Sequence, residues 1–260
     1  MKIHNFFRFS KKSSTNGNLI EFILLFSAIT LGFMVDNFRE DYLENSRAKE
    51  LIIGMHEDVI SDTIGFNSFL EKRKELRINI QKLVDDIEDR GIITDNQDQF
   101  FLFAFAMLSW DYYEPIDANL EQVVNSGSLR YFEDKELVKQ IAVVKAQIKI
   151  LKLRLERERH YWYNYIQPVM INNFNFKPFD KYYMRDMISY WEMVSKMKSG
   201  EFPMNTNELL YIDNKKDKVK YMLNLFRHYD FILRSSLMLT YETYLSEVKK
   251  LEELLRNNLK

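Results

Sequence analysis

The sequence predicts an all-α protein in which an N-terminal transmembrane helix continues into an elongated antiparallel helical bundle. Three observations support this fold class. The 260 residues include seven Gly and four Pro, which are too few to punctuate a many-stranded β fold. Apolar side chains recur at the three- and four-residue spacings of amphipathic helices. One unbroken apolar run also lies near the N-terminus.

Composition excludes several classes of function. Lys and Arg number 37 against 38 Asp and Glu, so the chain lacks the positive field of nucleic-acid-binding proteins and no nucleic-acid partner is expected. The absence of Cys excludes disulfides, thiolate metal sites and cysteine nucleophiles. No glycine-rich phosphate loop or dinucleotide fingerprint occurs, so a nucleotide partner is not expected either.

The apolar run near the N-terminus is predicted to cross a membrane as residues 18–38. Its uncharged part, residues 22–35, is shorter than the roughly 20 residues of a typical span. Flanking apolar residues extend it if Glu21 lies among the lipid headgroups. A cleaved signal peptide would end in small residues, which residues 33–38 do not provide. A core helix would show a polar stripe, which this run lacks.

Charge on either side of the span predicts its orientation. Residues 1–17 form a basic segment without acidic residues, whereas acidic residues surround the basic ones after the span. Because positive charge favours the cytoplasmic side, we expect a cytoplasmic N-terminus. Residues 39–260 then form a periplasmic bundle domain, held at the inner (cytoplasmic) membrane by a single pass.

One face of the predicted span carries Glu21, Leu25, Ala28 and Gly32, at spacings of four, three and four. Ala28 and Gly32 form a small-xxx-small pair, which permits close approach by another helix. This pattern favours a homo-oligomer or an envelope protein partner, with contact to membrane lipid as the alternative. Glu21 either reaches water at the edge of the span or relays protons for a partner complex.

Beyond the span, an amphipathic helix is predicted to continue until Gly91. Its apolar seam has two polar members, Asp62 and Arg73. The apolar members of the seam are Ile52, Met55, Val59, Phe66, Phe69, Leu76, Ile80, Leu83 and Ile87.

Two short helices should follow. Asp95 is a plausible N-cap for the first, whose aromatic side chains pack in the core or form a candidate apolar pocket for a ligand or lipid. Asp117 is expected to cap the second, residues 118–125, which Gly127 should end in a left-handed conformation. The residues of the candidate pocket are Phe100, Phe101, Phe103, Phe105 and Trp110.

The clearest periodic pattern runs from Glu133 to about Gln167, and the helix is expected to end before Pro168. Its charged outer positions, Glu158 among them, are interpreted as a solvated or salt-bridged surface. A loop (168–180) and a further helix (181–198) should follow. The seam residues are Leu137, Ile141, Val144, Ile148, Leu151, Leu155, Trp162 and Tyr165.

The last predicted element is a terminal helix of up to about 45 residues. Its seam consists of Val219, Met222, Phe226, Tyr229, Leu233, Leu237, Tyr244, Val248, Leu251 and Leu255.

The sequence offers no catalytic, cofactor or metal motif. The four His residues are dispersed, and the neighbouring Glu156 and His160 supply only two possible ligands, which do not make a metal site. No nucleophile elbow or Walker loop occurs. We therefore expect a protein without enzymatic activity, cofactor or metal.

The span and its exit resemble an uncharacterised family of single-span membrane proteins of Bacteroidetes, known as a domain of unknown function. That family has Gly-Glu before the apolar stretch, small residues at two helical-turn positions and an Asn-Asn-Trp-x-Glu exit motif; Ile20 stands in place of the Gly. Glu21, Ala28 and Gly32 match the first two features. The exit motif is matched by Asp36, Asn37, Phe38, Arg39 and Glu40, where Phe38 replaces the Trp and Asp36 an Asn.

A second segment, residues 119–130, is similar to the family's Tyr-x-Glu-Leu-x-x-Ser-Gly-x-Leu sequence. The resemblance implies the location and architecture described above and carries no assigned activity. The leading hypothesis is a non-enzymatic bitopic protein whose periplasmic bundle serves as an interaction scaffold. The alternatives are a proton-coupled subunit that uses Glu21 and a membrane-anchored sensor of lipids or other ligands.

Overall fold

A computed structural model gives the fold, and all elements in its described part are helical or irregular. Because no strand occurs among the described residues, the all-α prediction is confirmed. The chain divides into two compact units, Met1–Leu51 and Ile52–Lys260. The described residues are 15–92, 97–108, 111–173, 192, 195–196, 199–201 and 216–259.

Several predictions fall outside the described part of the chain. These are the cap at Asp95, most of the predicted helix 181–198, and the side chains of Phe100, Phe105 and Trp110.

The elements occur in the following order. Helix α1 is Thr15–Arg90, α2 is Gln97–Leu108, α3 is Ala118–Asn125, and a 3₁₀ turn spans Ser128–Tyr131. Helix α4 is Lys135–Tyr161, a π-helical turn covers Trp162–Ile166, and α5 is Gln167–Asn173. Helix α6 is Lys216–Ser236, a second π-helical turn covers Leu237–Tyr241, and α7 is Glu242–Asn258.

Helix α1 confirms the prediction that the helix of the apolar run continues to Gly91. Gly91 adopts a left-handed φ of 75°, and its N–H donates to Ile87 O at 2.9 Å. A left-handed glycine is the common way to end a helix and satisfy a terminal carbonyl.

The described part of the N-terminal unit is the first section of α1, and its apolar side chains are exposed. From Leu19 to Phe38 the large apolar side chains are between 51% and 72% exposed. This is one helix that is long and apolar enough to cross a membrane.

In the second unit, α1, α4 and the α6–α7 helix form a bundle. Met55 and Val59 lie beside Val144 and Ile148, while Arg73 lies beside Glu158, so α1 and α4 run in the same direction. The C-terminal helix runs antiparallel to both. Its contacts with α1 are Asp62–Tyr244 and Arg77–Asp230, and its contacts with α4 are Gln140–Glu247 and Tyr161–Leu225.

Because α1 and α4 are parallel, the chain must return along the bundle between them. Residues 111–117 make part of this return without helical or strand structure and lead into α3; together with the first two residues of α3 they are here called the strap (111–119). Arg73 and Asp62 are separated by about 16 Å of helix. The five residue-to-residue steps from Asp111 to Ile116 cover about the same distance in an extended chain. This match allows one end of the strap to contact Arg73 and the other Asp62.

The seam predicted for α1 is confirmed, since all nine of its apolar residues are buried. The seam of α4 is buried as predicted until Leu155, after which two predictions are wrong. The pattern places Glu158 on the outer surface, but Glu158 is 1% exposed; it places Tyr165 in the seam, but Tyr165 is 47% exposed. The π-helical turn at 162–166 adds a residue to the turn and shifts the register, so Ile166 is buried instead of Tyr165.

The predicted helix end before Pro168 is also wrong, because α5 continues to Asn173 and replaces the first part of the predicted loop. Pro168 has no N–H to donate, and the helix accommodates it directly after the wider π turn. The expected cap at Asp117 is absent too. Its carboxylate accepts from Lys152 at 3.0 Å instead of from the start of α3. Gly127 has the predicted left-handed φ of 75°.

Candidate functional site

The two polar seam positions of α1 mark the most unusual chemistry inside the bundle. Asp62 and Arg73 are each 2% exposed, at places where the helix would otherwise present apolar side chains. A buried charge is costly unless it is paired or hydrogen-bonded. Their partners therefore define the site, which consists of two polar clusters along α1.

The first cluster surrounds the Asp62 carboxylate with hydrogen-bond donors. Oδ1 accepts from the Tyr113 hydroxyl at 2.5 Å and from the Ile116 N–H at 2.9 Å. Oδ2 accepts from the Tyr244 hydroxyl at 2.6 Å. Both phenols have a pKa above the ordinary tyrosine value, chiefly because of burial and also because of the adjacent carboxylate. They therefore remain neutral donors at physiological pH.

A small cavity lies beside this carboxylate. It has a volume of about 10 Å³, which is close to the minimum that holds one water molecule. Asp58 and Asp62 are its acidic lining residues, and most of the rest of its wall is apolar. Asp58 Oδ2 accepts from both the backbone N–H and the side-chain amide of Asn119, each at 3.0 Å. Two α1 carboxylates thus hold the C-terminal part of the strap.

The second cluster is a buried ion pair between Arg73 and Glu158, with Arg73 Nε 3.4 Å from Glu158 Oε2. Glu158 Oε1 accepts from the Tyr241 hydroxyl at 2.6 Å, and Arg73 Nη2 donates to the Asp111 carbonyl at 2.6 Å. The Arg73 guanidinium also lies 4.7 Å from the Phe69 ring centroid, a cation–π distance. Burial acts to lower the pKa of Arg73, but the carboxylate of Glu158 leads the charges that raise it overall.

Aromatic rings join the two clusters. The Phe66 ring is packed edge-on against Tyr244 at 4.8 Å, Tyr113 at 5.0 Å and Tyr241 at 5.8 Å between centroids. Such pairs add to the stabilisation from area burial. The phenols therefore combine two functions, since their rings fill the core and their hydroxyls satisfy the buried carboxylates.

The residues predicted to pack the span lie exposed on α1 of the N-terminal unit. Glu21, Leu25, Ala28 and Gly32 are all exposed, and a Cβ added at Gly32 would meet no atom within 4 Å. The exit-motif residues Asp36, Asn37, Phe38 and Glu40 are exposed as well. The geometry leaves this face open to another helix or to lipid.

The candidate aromatic pocket is described only in part. Phe101 and Phe103 are buried members of the core cluster, and the ring centroids of Phe103 and Phe226 are 5.9 Å apart. Core packing accounts for these two side chains. The predicted pocket is not brought together by the described residues.

Metal-ligating groups do not converge in the described part of the chain. No group of three or more His, Asp or Glu there is arranged to hold a metal ion. Glu156, considered with His160 as a possible ligand pair, forms an ion pair with Arg159 at 2.8 Å instead.

Comparisons with protein-family models, with curated proteins and with solved structures found no match to this chain. The resemblance to the Bacteroidetes family therefore stays a prediction.

Sequence reasoning found Asp62 and Arg73 but missed their partners. Two polar residues inside an apolar seam require buried partners, and tyrosine is the aromatic residue that supplies a ring and a donor together. The apolar spacing of the terminal helix includes Tyr244 but not Tyr241, where the π-helical turn alters the spacing. Glu158 follows Leu155 by three residues and precedes Trp162 by four, which was the available signal that it faces inward.

Proposed function

We propose that this chain is a single-pass inner-membrane protein whose residues 39–260 form a periplasmic interaction scaffold without enzymatic activity. The observation that carries the proposal is the exposed apolar section of α1. Each large apolar side chain from Leu19 to Val35 is at least half exposed.

Transfer of such a surface from water to lipid is strongly favourable, at about 25 cal/mol per Å² of apolar area. In a helix all backbone hydrogen bonds are internal, so the backbone also tolerates the hydrocarbon. Lipid is the partner that covers apolar side chains on all sides of one helix. The proposed topology, with a cytoplasmic N-terminus, rests on the basic residues of segment 1–17.

The scaffold role is supported by how the bundle uses its internal polar groups. Asp62 is satisfied by two phenols and a backbone N–H, and Glu158 lies beside Arg73. These groups stabilise a specific packing. The exposed charges of α1 and α4 then remain for contact with envelope proteins.

The span face supports self-association as part of the same proposal. Ala28 and Gly32 permit close approach of two helices. Because the chain contains no Cys, single cysteines can report this contact without a background. We expect Leu25→Cys, on the small-residue face, to form disulfide-linked dimers in native membranes, and Ile23→Cys, on the opposite face, to form few. Equal crosslinking of the two variants would contradict a specific interface.

Two measurements on native membranes test the main proposal. Alkaline carbonate extraction should leave the chain in the membrane pellet, since an inserted helix is not removed by charge repulsion. Affinity purification after mild crosslinking should then recover defined envelope partners or further copies of the chain. Release of the intact chain by carbonate would contradict the membrane span, whereas a monomer without partners would contradict the scaffold role alone.

A further inference from the structure

We propose that neighbouring copies of this chain pack side by side, with the outer face of α1 in one copy against the outer face of α4 in the next. The partner on both faces is therefore a second copy of the chain. The contact lies within the unit Ile52–Lys260 and is separate from the span face that contains Ala28 and Gly32. The inference rests on the proposed single-pass topology, which gives all copies the same orientation, and it specifies how they associate.

The outer face of α1 combines exposed isoleucines with acidic side chains. Glu57, Ile60, Ile64 and Glu75 lie on one side of the helix, because they follow at separations of three, four and eleven residues. Ile64 is 68% exposed, although isoleucine is one of the residues most often buried. Glu57 and Glu75 are exposed, and neither forms an ion pair within the described part of the chain. This side of α1 is opposite its buried seam.

The outer face of α4 has a similar spacing and the opposite charge. Ala146, Lys149, Leu153 and Arg157 follow at separations of three, four and four residues, on the side opposite the buried seam. Leu153 is 65% exposed. Lys149 and Arg157 are exposed and have no ion-pair partner among the described residues. One outer face thus presents apolar groups with carboxylates, and the other presents apolar groups with cations.

Contacts inside the bundle show which residues of α1 and α4 lie at the same level. Val59 lines a cavity together with Val144 and Ile148, and Arg73 pairs with Glu158 at 3.4 Å. Since the two helices run in the same direction, a residue of α1 is level with the α4 residue 85–89 positions later in the chain. By this offset each acidic residue of the outer α1 face lies within about one helical turn of a basic residue of the outer α4 face.

Copies that share one orientation in a membrane keep these levels when they stand side by side. The outer face of α1 in one copy then meets the outer face of α4 in the next, with apolar groups opposed and unlike charges close together. A symmetric contact of α1 with α1 would instead bring the Glu57 side chains of two copies together, and like charges disfavour it. The predicted neighbours across the contact are Ile64 with Leu153, Glu57 with Lys149, and Glu75 with Arg157.

Such a contact is heterologous, because it joins different faces of two identical chains. Each copy in the contact leaves its other face open, so association continues into a ring or a row of copies. This property distinguishes the proposed contact from a simple dimer.

Disulfide crosslinking between two differently tagged forms of the full chain in native membranes tests the contact. One form carries Ile64→Cys and the other Leu153→Cys, and the chain has no other cysteine. We expect mild oxidation to give a mixed dimer that contains both tags. Leu239→Cys replaces Leu153→Cys in the control, because Leu239 is 68% exposed on the α6–α7 helix, outside the proposed contact. A single chain with Ile64→Cys/Leu153→Cys should form crosslinked species larger than a dimer.

A charge exchange tests the pairing of side chains in the same crosslinking assay. Lys149→Glu should lower the yield of the mixed dimer about fivefold, since it places two carboxylates near each other across the contact. Addition of Glu57→Lys to the same chain should restore the yield. Glu57 and Lys149 face away from each other within one bundle, so this restoration can arise only between copies. Lys249→Glu, at an exposed lysine of α7, is the matched control and should leave the yield unchanged.

Three results would overturn the inference. The first is a mixed dimer no more abundant than in the Leu239→Cys control, as expected if lipid or another protein covers these faces. The second is a dimer of Ile64→Cys with itself as the main product, which would show a symmetric α1 contact. The third is a failure of Glu57→Lys to restore the yield of Lys149→Glu.

Carbonate extraction of the same membranes reports on the span separately. Release of the intact chain would contradict the proposed topology and, with it, the shared orientation that the contact requires. A chain that stays in the pellet without forming the mixed dimer would overturn only the contact between copies.

Discussion

The two units use apolar side chains in opposite ways along a single helix. In the N-terminal unit, Phe22 is 63% exposed and Leu24 is 64% exposed, with similar values around the helix. In the second unit, Phe66 and Leu83 are fully buried along one seam, and most exposed positions of the helix there are polar or charged. Helix α1 has the same backbone structure throughout. The distribution of apolar residues around it therefore determines whether protein or lipid is the expected neighbour.

The largest expected effect comes from placing charge on exposed leucines of each unit. Leu24→Arg/Leu31→Arg should abolish membrane association, since each Arg at the centre of a span costs about 2.5–3.5 kcal/mol for insertion. Leu153→Arg/Leu239→Arg is the matched control in the bundle, where the two leucines are 65% and 68% exposed. Membrane fractionation should find the control in the pellet and the span variant in the supernatant or degraded. Equal behaviour of the two variants would remove the distinction between the units.

The second-largest expected effect comes from the loss of the buried ion pair between Arg73 and Glu158. Glu158→Ala leaves Arg73 buried without its carboxylate and should lower the free energy of unfolding by about 3–5 kcal/mol. Glu156→Ala removes an exposed partner of Arg159 two residues away and should change it by less than about 1 kcal/mol. Denaturant unfolding of the full chain in detergent measures both. The double variant Arg73→Met/Glu158→Leu should recover most of the lost stability. If Glu158→Ala and Glu156→Ala lowered the free energy of unfolding equally, burial of the ion pair would not contribute to its effect.

Alkaline pH tests the buried phenols. Burial is the main reason that the pKa values of Tyr229, Tyr241 and Tyr244 lie above the ordinary tyrosine value. Their stabilisation is complete below about pH 10 and is lost as the pH rises further, because only the unfolded chain then releases the phenolic protons. Each tyrosine should reduce the free energy of unfolding by about 1.4 kcal/mol per pH unit above 10.

Denaturant unfolding at several alkaline pH values, with phenolate absorbance as a second readout, measures this slope. Tyr244→Phe should make the slope shallower by the share of one tyrosine. A stability that does not change between pH 10 and 11.5 would mean that these phenols are hydrated in the folded protein.

The smallest expected effects compare two glycines of α1 in the bundle. Gly65→Ala should stabilise the chain by up to about 1 kcal/mol, because the new Cβ meets Tyr113 at an ordinary 3.6 Å and alanine favours helix. Gly54→Ala should lose this gain, since its Cβ would lie 2.8 Å from Asn119 Oδ1 and displace a side chain that donates to Asp58. Thermal unfolding should give Gly65→Ala a higher melting temperature than Gly54→Ala. The reverse order would contradict the position of the Asn119 side chain beside Gly54.

The sequence was sufficient to predict the elements whose apolar spacing is regular. The α1 seam, the helix end at Gly91, the left-handed Gly127 and the terminal helix follow from local periodicity and turn chemistry. The sequence was insufficient to predict which residues are buried where the backbone departs from α-helical geometry. The π-helical turns at 162–166 and 237–241 shift the seam by one residue, and no local composition signals such a turn.

Only part of the candidate site could be predicted from the sequence, for a related reason. The sequence places Asp62 and Arg73 in the α1 seam, and a polar residue in a seam requires a buried partner. The identity of the partner depends on which distant residue reaches it. Tyr113 reaches Asp62 because the strap is extended, and an irregular segment has no periodicity from which its register could be read.

The central claim is that residues 18–38 cross the inner membrane with the bundle in the periplasm. Single cysteines in the Cys-free chain test it directly, with a membrane-impermeant maleimide applied to intact spheroplasts. Glu253→Cys should be labelled in intact spheroplasts, and Ser13→Cys only after lysis. Protection of Glu253→Cys until lysis, or labelling of both positions before it, would contradict the proposed crossing.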